Sequence, residues 1–266
     1  MLQNYSKSAS IEIEANDVKP RTNHRNWWMI LVLPSLVFVG FFTAELIVTY
    51  AVILLKYLGI SFSSTNESIL NTIYSAAIYV IAIAITAGLP WLIKKHKTSR
   101  EELGLARLPS WMDIIITPAG LIIYLLLSSA LSLALAKFFP GIDLQQAQNV
   151  GFSEMSQKYE YILAFITLVI VAPVAEEILF RGYLFGKLKK YNIPIWLAMV
   201  VTSALFGAIH GQWDLAIDTF ALSMVMCSLR QITGSLWPPI LLHMTKNGIA
   251  YYILFINPIF LTTLGK

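Results

Sequence analysis

Polar or aromatic residues four positions apart recur in three short stretches of an otherwise apolar sequence. They are Glu177 and Arg181 in "EEILFR", Phe206 and His210 in "FGAIH", and His243 and Asn247 in "HMTKN". Residues four apart lie on one face of a helix, so the two side chains of each pair point in the same direction. Glutamate and histidine can activate water, and an amide can stabilise an oxyanion. Together the stretches carry the parts of a hydrolytic site.

Four side chains are candidates for the chemistry: Glu176, His210, His243 and Asn247. A carboxylate in an apolar pocket can accept a proton near neutral pH, which makes Glu176 the candidate general base. An imidazole can hold the attacking water directly. Alternatively, Glu176, His210 and His243 can hold it through a divalent metal such as zinc. The amide of Asn247 can stabilise the oxyanion.

Other residues in the same stretches have supporting interpretations. Glu177 pairs with Arg181, so that neither charge is buried alone. Phe206 is interpreted as a packing residue. Lys246 lies inside the third stretch, and its candidate counter-ions are Asp218 and Glu177. The sequence leaves the roles of Lys246 and Asp218 open.

The composition places these residues in a membrane protein. Of the 266 residues, 57% are hydrophobic and only 13% are charged, whereas a soluble domain is about a quarter charged. Seven apolar stretches can be marked, and the C-terminal tail can add a short eighth piece. They cover about residues 27–55, 69–93, 111–139, 161–184, 194–210, 213–229 and 236–256. We predict an all-α, polytopic transmembrane bundle of about seven to eight spans.

The basic residues indicate the orientation of this bundle. With seven spans and a cytoplasmic N-terminus, most Lys and Arg residues fall on the cytoplasmic side, as the positive-inside rule requires. The net charge of +4 therefore reports orientation and does not indicate a nucleic-acid partner. The single Cys227 cannot form an intramolecular disulfide.

The distribution of ionisable groups divides the chain into three predicted regions. Residues 1–26 are polar and are predicted to be a cytoplasmic tail. Residues 27–160 are predicted to be scaffold helices, in which Glu45 is the one ionisable group at comparable depth, and its role stays open. Residues 161–266 are predicted to be the catalytic helices. On straight, upright helices the candidate site residues would spread over roughly 15 Å of depth. Tilt, a break at Pro173 or a fifth helix that projects into the cytoplasm can bring them together, and the sequence does not select among these.

The three stretches resemble the motifs of a known family. "APVAEEILFRG" is similar to the Glu-Glu-x-x-x-Arg motif of the CAAX-protease and bacteriocin-processing family of intramembrane endopeptidases, also described as type II CAAX prenyl endopeptidase-like. "FGAIH" is similar to its Phe-x-x-x-His motif and "HMTKN" to its His-x-x-x-Asn motif, in the same order. The resemblance covers residues 171–247. A lysine at position 246 is not expected from the family.

The resemblance implies an intramembrane protease of the glutamate or metallo type. It implies that Glu176 and His210 activate water, that His243 and Asn247 hold the water and the oxyanion, and that Glu177 and Arg181 support them. The expected substrate is a membrane-embedded or lipid-anchored peptide or protein, and the physiological roles linked to the family include bacteriocin immunity and pheromone processing. The expected location is a bacterial cell membrane, as a multi-pass protein in contact with the lipid bilayer.

Two interpretations from other classes remain open at this point. The chain can be a non-catalytic immunity or regulatory scaffold that retains the motifs for structure. It can also be a small proton-coupled transporter, since Glu, His and Lys within spans can relay protons. The sequence shows no inverted repeat of the kind that many transporters have.

Overall fold

The computed structural model describes residues 25–94, 97–140, 152 and 155–258. Within this part of the chain every regular element is a helix. The helices are α1 (Met29–Tyr57), α2 (Glu67–Lys94), α3 (Arg100–Leu103), α4 (Trp111–Phe138), α5 (Lys158–Lys190), α6 (Ile195–Ala208), α7 (Trp213–Thr233) and α8 (Trp237–Tyr251), which continues as a π turn over Tyr252–Ile256. The predicted tail, residues 1–26, lies almost entirely outside the described residues.

The long helices have the length and composition of membrane spans. Five of them, α1, α2, α4, α5 and α7, are long and apolar enough to cross a bilayer, and α6 is apolar but shorter. Large apolar side chains stand exposed on the outer helices, among them Leu31, Val80, Leu126 and Leu133. Such a surface is suited to lipid contact. The predicted all-α membrane bundle is confirmed, while the count of seven to eight spans and the cytoplasmic N-terminus stay predictions.

The core lies where α5, α6 and α7 pack together. Its fully buried side chains include Phe180, Leu184, Leu188, Phe206, Leu222 and Met226. The outer helices α1 and α2 pack mainly on each other, and α4 packs on α7 and α8. The first two motifs therefore lie on or at the end of the core helices, and the third lies on α8, which packs against α5 and α7.

Helix α5 departs from regular α geometry at two places, over Ile166–Val171 and Ile178–Leu184, where it widens into π turns. Pro173 has no N–H and its ring would clash with the carbonyl four residues earlier in a regular helix. The first π turn ends just before this proline. It makes the Ala172 N–H bond to the Thr167 carbonyl, five residues back, which bypasses the carbonyl of Leu168.

The short α3 is fixed to the end of α5 by ion pairs. Ser99 caps the helix by accepting a hydrogen bond from the Glu102 N–H at 3.3 Å. The Glu102 carboxylate then pairs with Lys187 at 2.7 Å and with Lys190. Partial burial raises the pKa of Glu102, but the hydrogen bonds from both lysines outweigh this and lower the pKa to about 2. This contact ties the loop after α2 to the helix that carries the first motif.

Helices α6 and α7 approach closely beside the second motif. A Cβ atom on Gly207 would lie 2.5 Å from the backbone oxygen of Ala216 on α7. The turn between the two helices passes through Gly211, whose φ of +72° suits glycine. The glycine of "FGAIH" thus permits the contact that sets the position of His210.

Gly207→Ala is expected to destabilise the protein by about 1–3 kcal/mol, because the added methyl group overpacks a contact with backbone. The measurement is thermal unfolding of the purified protein in lipid nanodiscs. Gly88→Ala is the matched control, since a Cβ atom there meets nothing within 4 Å. An equal effect of the two substitutions would contradict the proposed role of Gly207.

Candidate active site

The four candidate residues line one cavity of about 220 Å³ between α2, α5, α7 and α8. Its lining includes Glu176, His210, His243, Asn247, Tyr79 and Lys246. Two larger grooves, of about 590 and 510 Å³, lie along α1 and α2 and contain none of the four. The four residues thus come together in a structure in which α5 contains two π turns and His210 follows the short α6.

Glu177 links the first motif to the third. Its Oε1 atom accepts hydrogen bonds from the Arg181 guanidinium at 2.7 Å and from His243 Nδ1 at 2.9 Å. Both Glu177 and Arg181 have no exposed side-chain surface. Because the proton of His243 is held at Nδ1, the Nε2 atom remains available, and it lies 3.8 Å from Glu176 Oε2. Glu177 therefore orients the imidazole in addition to forming the predicted pair with Arg181.

Phe206 contacts the buried arginine and both imidazoles. The Arg181 guanidinium lies 4.2 Å from the centre of the Phe206 ring, in cation–π geometry. The same ring makes edge contacts with His210 and His243, with centroids 5.1 and 5.8 Å apart. Phe206 has no exposed surface, and its interpretation as a packing residue stays a prediction.

His210 is oriented by the end of α6. The last turn of the helix tightens, and the His210 N–H bonds to the Gly207 carbonyl at 3.1 Å. The Phe206 carbonyl instead accepts from His210 Nδ1 at 2.7 Å. As in His243, the proton resides on Nδ1, so Nε2 is the ring nitrogen that can accept a hydrogen bond from a ligand in the cavity.

Asn247 is held by the first π turn of α5. Its side-chain amide donates to the Leu168 carbonyl at 2.9 Å. This is the carbonyl that the π turn bypasses, so the distortion at Pro173 supplies the acceptor that positions Asn247. A side-chain amide has two N–H donors, and the second remains for a ligand in the cavity.

Tyr79 of α2 is a site residue that the sequence analysis missed. Its hydroxyl donates to Glu176 Oε1 at 2.5 Å. The residue lies in the region predicted to be scaffold, and its stretch, "IYSAAIYVIA", also contains Tyr74, so no spacing singles it out. A tyrosine in the middle of an apolar span was the one available signal.

Tyr79→Phe is expected to lower kcat of the proposed hydrolysis about tenfold, because a hydrogen bond to a charged group is lost and Glu176 is less firmly held. Tyr74→Phe is the control, since Tyr74 lines a different groove on the same helix. The measurement is turnover of a cleaved peptide by both variants at equal amounts of folded protein. Equal turnover would show that the Tyr79 hydroxyl does not serve the site.

Two further residues with open roles can now be placed. Lys246 lines the cavity and pairs with Asp218 at 3.3 Å, so Asp218, and not Glu177, is its counter-ion. Glu45 is exposed on α1 and does not line the cavity.

The predicted metal site has little support from the arrangement of donors. Among the described residues, no group of three or more His, Cys, Asp or Glu side chains could hold a metal ion. Glu176 and His243 approach each other only to 3.8 Å, and His210 is held separately against Phe206. Metal binding through Glu176, His210 and His243 stays a prediction, and no catalytic step is derived from it.

The fold and the cavity define a helical membrane protein with a polar Glu, His and Asn site among its inner helices. Residues 158–249 match the model of the family described as type II CAAX prenyl endopeptidase Rce1-like. This match confirms the resemblance predicted from the three motifs, and it spans the segment from the start of α5 into α8.

Individual relatives match between about a third and less than half of the chain. An uncharacterized 24.3 kDa protein of Escherichia coli is 35% identical over 34% of this chain and 43% of its own length. The membrane-embedded CAAX protease MroQ of Staphylococcus aureus is 27% identical over 39% of this chain and 43% of its own. The uncharacterized protein YpbD of Bacillus subtilis is 28% identical over 44% of this chain and 58% of its own length. The chain thus spans between about a third and three fifths of the curated relatives it matches. No solved structure matches it.

Proposed function

We propose that the protein is an intramembrane endopeptidase that hydrolyses a peptide bond in a membrane-embedded or lipid-anchored peptide or protein. The observation that carries the proposal is the meeting of Glu176, His210 and His243 in one cavity, with each imidazole held through its Nδ1 atom. Similarity to a family of membrane proteases over residues 158–249 supports it. The proposed location is the cell membrane of a bacterium, the source of the relatives.

The proposed reaction begins with a water molecule in the cavity. The water donates one hydrogen bond to Glu176 and the other to the Nε2 atom of His210 or His243. Glu176 takes the first proton as the water oxygen attacks the peptide carbonyl carbon. The carbonyl oxygen becomes negative, and the free N–H of Asn247 donates to it. Glu176 then returns the proton to the leaving amine as the C–N bond breaks. The apolar lining strengthens each of these electrostatic contacts.

Glu177 and Arg181 do not touch the substrate in this scheme. Glu177 fixes His243, and Arg181 neutralises Glu177 in a fully buried position. Tyr79 donates to Oε1 of Glu176, the oxygen other than the one that His243 approaches. These three residues position the groups that act. Maturation of peptides and immunity to bacteriocins are physiological roles to which such cleavage would contribute.

The experiment is comparative peptidomics of cells that carry the wild-type protein, Glu176→Gln or Glu67→Gln. Glu67 is an exposed carboxylate at the start of α2, outside the cavity, and serves as the control. Membrane-derived fragments are expected to be present with wild type and Glu67→Gln and to be lost with Glu176→Gln. Identical peptide sets in all three would contradict the proposal and favour a non-catalytic scaffold or a proton-coupled transporter.

A further inference from the structure

Lys246 is the cavity residue that the proposed reaction does not use. It lies on α8, three residues after His243, and lines the same cavity as Glu176. Its side chain is 21% exposed, so the ammonium is not sealed into the core. A charged side chain inside a membrane bundle is costly and faces a polar cavity or a partner. The ammonium of Lys246 is therefore placed where a ligand in the cavity can reach it.

The protein supplies one acceptor for this ammonium among the described residues. Lys246 Nζ lies 3.3 Å from Asp218 Oδ2. An ammonium has three N–H donors, so a single ion pair leaves donors for a ligand. Lys246 lies about 4.5 Å further along the axis of α8 than His243, and both side chains line the same cavity.

Asp218 is stabilised independently of Lys246. Its other oxygen, Oδ1, accepts hydrogen bonds from the hydroxyl of Tyr124 at 2.6 Å and from that of Ser128 at 2.7 Å, both on α4. Two hydroxyl donors support the carboxylate charge and hold the side chain in place. The ammonium of Lys246 can therefore donate to a ligand while Asp218 keeps its two hydroxyl donors.

We propose that Lys246 forms a carboxylate-binding subsite, which selects substrates with a carboxylate near the cleaved bond. This inference rests on the proposed function and names a feature of its substrate. Among the residues that line this largely apolar cavity, Lys246 carries the fixed positive charge, and little water screens its attraction for a carboxylate. Asp218 neutralises part of that charge. The carboxylate comes either from the free C-terminus of the peptide or from an Asp or Glu side chain.

The test uses a peptide identified as a substrate of the wild-type protein, with the purified full chain in lipid nanodiscs. Three forms of the peptide are compared: the parent, the C-terminal amide, and a form with nearby Asp or Glu changed to Asn or Gln. With wild type, one of the two modifications is expected to raise KM about 10- to 100-fold with little change in kcat, the range expected for a lost hydrogen bond to a charged group. The modification that does so identifies the source of the carboxylate.

Variants at the subsite supply the controls. Lys246→Met is expected to raise KM for the parent peptide by the same factor and to lose discrimination among the three peptides, while Lys246→Arg restores it. Lys137→Met removes an exposed lysine of α4, outside the cavity, and is expected to change nothing. A general loss of folding would lower activity on all three peptides alike, and thermal unfolding measures it directly.

Asp218→Asn provides a second test, in which KM is expected to change in the direction opposite to that expected for Lys246→Met. It removes the competing charge, while the amide oxygen can still accept from Tyr124 and Ser128. KM for the parent peptide is expected to fall severalfold. Cleavage by wild type with no dependence on any peptide carboxylate, or unchanged discrimination in Lys246→Met, would overturn the subsite alone. Failure of wild type to cleave any peptide would overturn the proposed function and the subsite with it.

Discussion

Glu176→Gln is expected to lower kcat for peptide hydrolysis by about 10²- to 10⁴-fold, the range that a general base contributes. Glutamine keeps the size of the side chain and can still accept from the Tyr79 hydroxyl, but it cannot take the proton of the attacking water. The fold is expected to survive, because Glu176 has no buried charge partner comparable to that of Glu177.

The measurement is single-turnover cleavage of a peptide by the purified protein in lipid. Thermal unfolding of the same preparations separates a chemical defect from a folding defect. Glu67→Gln is the control for removal of a carboxylate elsewhere on the protein, and its kcat is expected to match wild type. A kcat of Glu176→Gln within tenfold of wild type would remove Glu176 from the role of base.

Glu177→Ala is expected to destabilise the protein by about 3–5 kcal/mol, because it leaves the Arg181 guanidinium buried without a carboxylate. Two of the arginine nitrogens already lack a hydrogen-bond partner among the described residues, so the Glu177 contact is its principal stabilisation. The same change releases His243 Nδ1, and activity is expected to fall with stability. The measurement is chemical or thermal unfolding in lipid nanodiscs.

The double variant Glu177→Ala with Arg181→Met separates these two effects. Removing both charges is expected to restore most of the lost stability, since no charge is then buried alone. Activity is expected to remain low, because His243 still lacks the acceptor that orients it. A double variant as unstable as Glu177→Ala would contradict the assignment of the cost to Arg181. A double variant with restored activity would show that His243 does not need Glu177.

The helices were predictable because their apolar runs are long and their boundaries coincide with polar or turn residues. The stretch predicted at 111–139 is the helix Trp111–Phe138, and the one at 213–229 is the helix Trp213–Thr233. The meeting of Glu176, His210, His243 and Asn247 could be inferred only from the shared spacing and the family resemblance. Distances counted along ideal helices argued against it, since they contain no π turns.

The links between helices could not be predicted in the same way. The sequence indicated the local Glu177–Arg181 pair, which is set by helix geometry, but the contact of Glu177 with His243 joins residues far apart in the chain. Tyr79 contacts Glu176 across a similar gap and comes from a helix predicted to be scaffold. For Lys246 the sequence offered two candidate counter-ions, Asp218 and Glu177. The structure, in which α7 packs on α8, selects Asp218. The division into scaffold and catalytic helices stays a prediction.

Hydrolysis in water enriched in ¹⁸O tests most directly whether the cavity holds and activates a water molecule. The purified protein in lipid is incubated with its peptide, and the products are analysed by mass spectrometry. Wild type is expected to place one ¹⁸O atom in the new C-terminal carboxylate at each turnover, and Glu176→Gln and His243→Ala are expected to form labelled product far more slowly, about 10²- to 10⁴-fold for Glu176→Gln. Unlabelled product from wild type, or labelled product from both variants at the wild-type rate, would contradict the account.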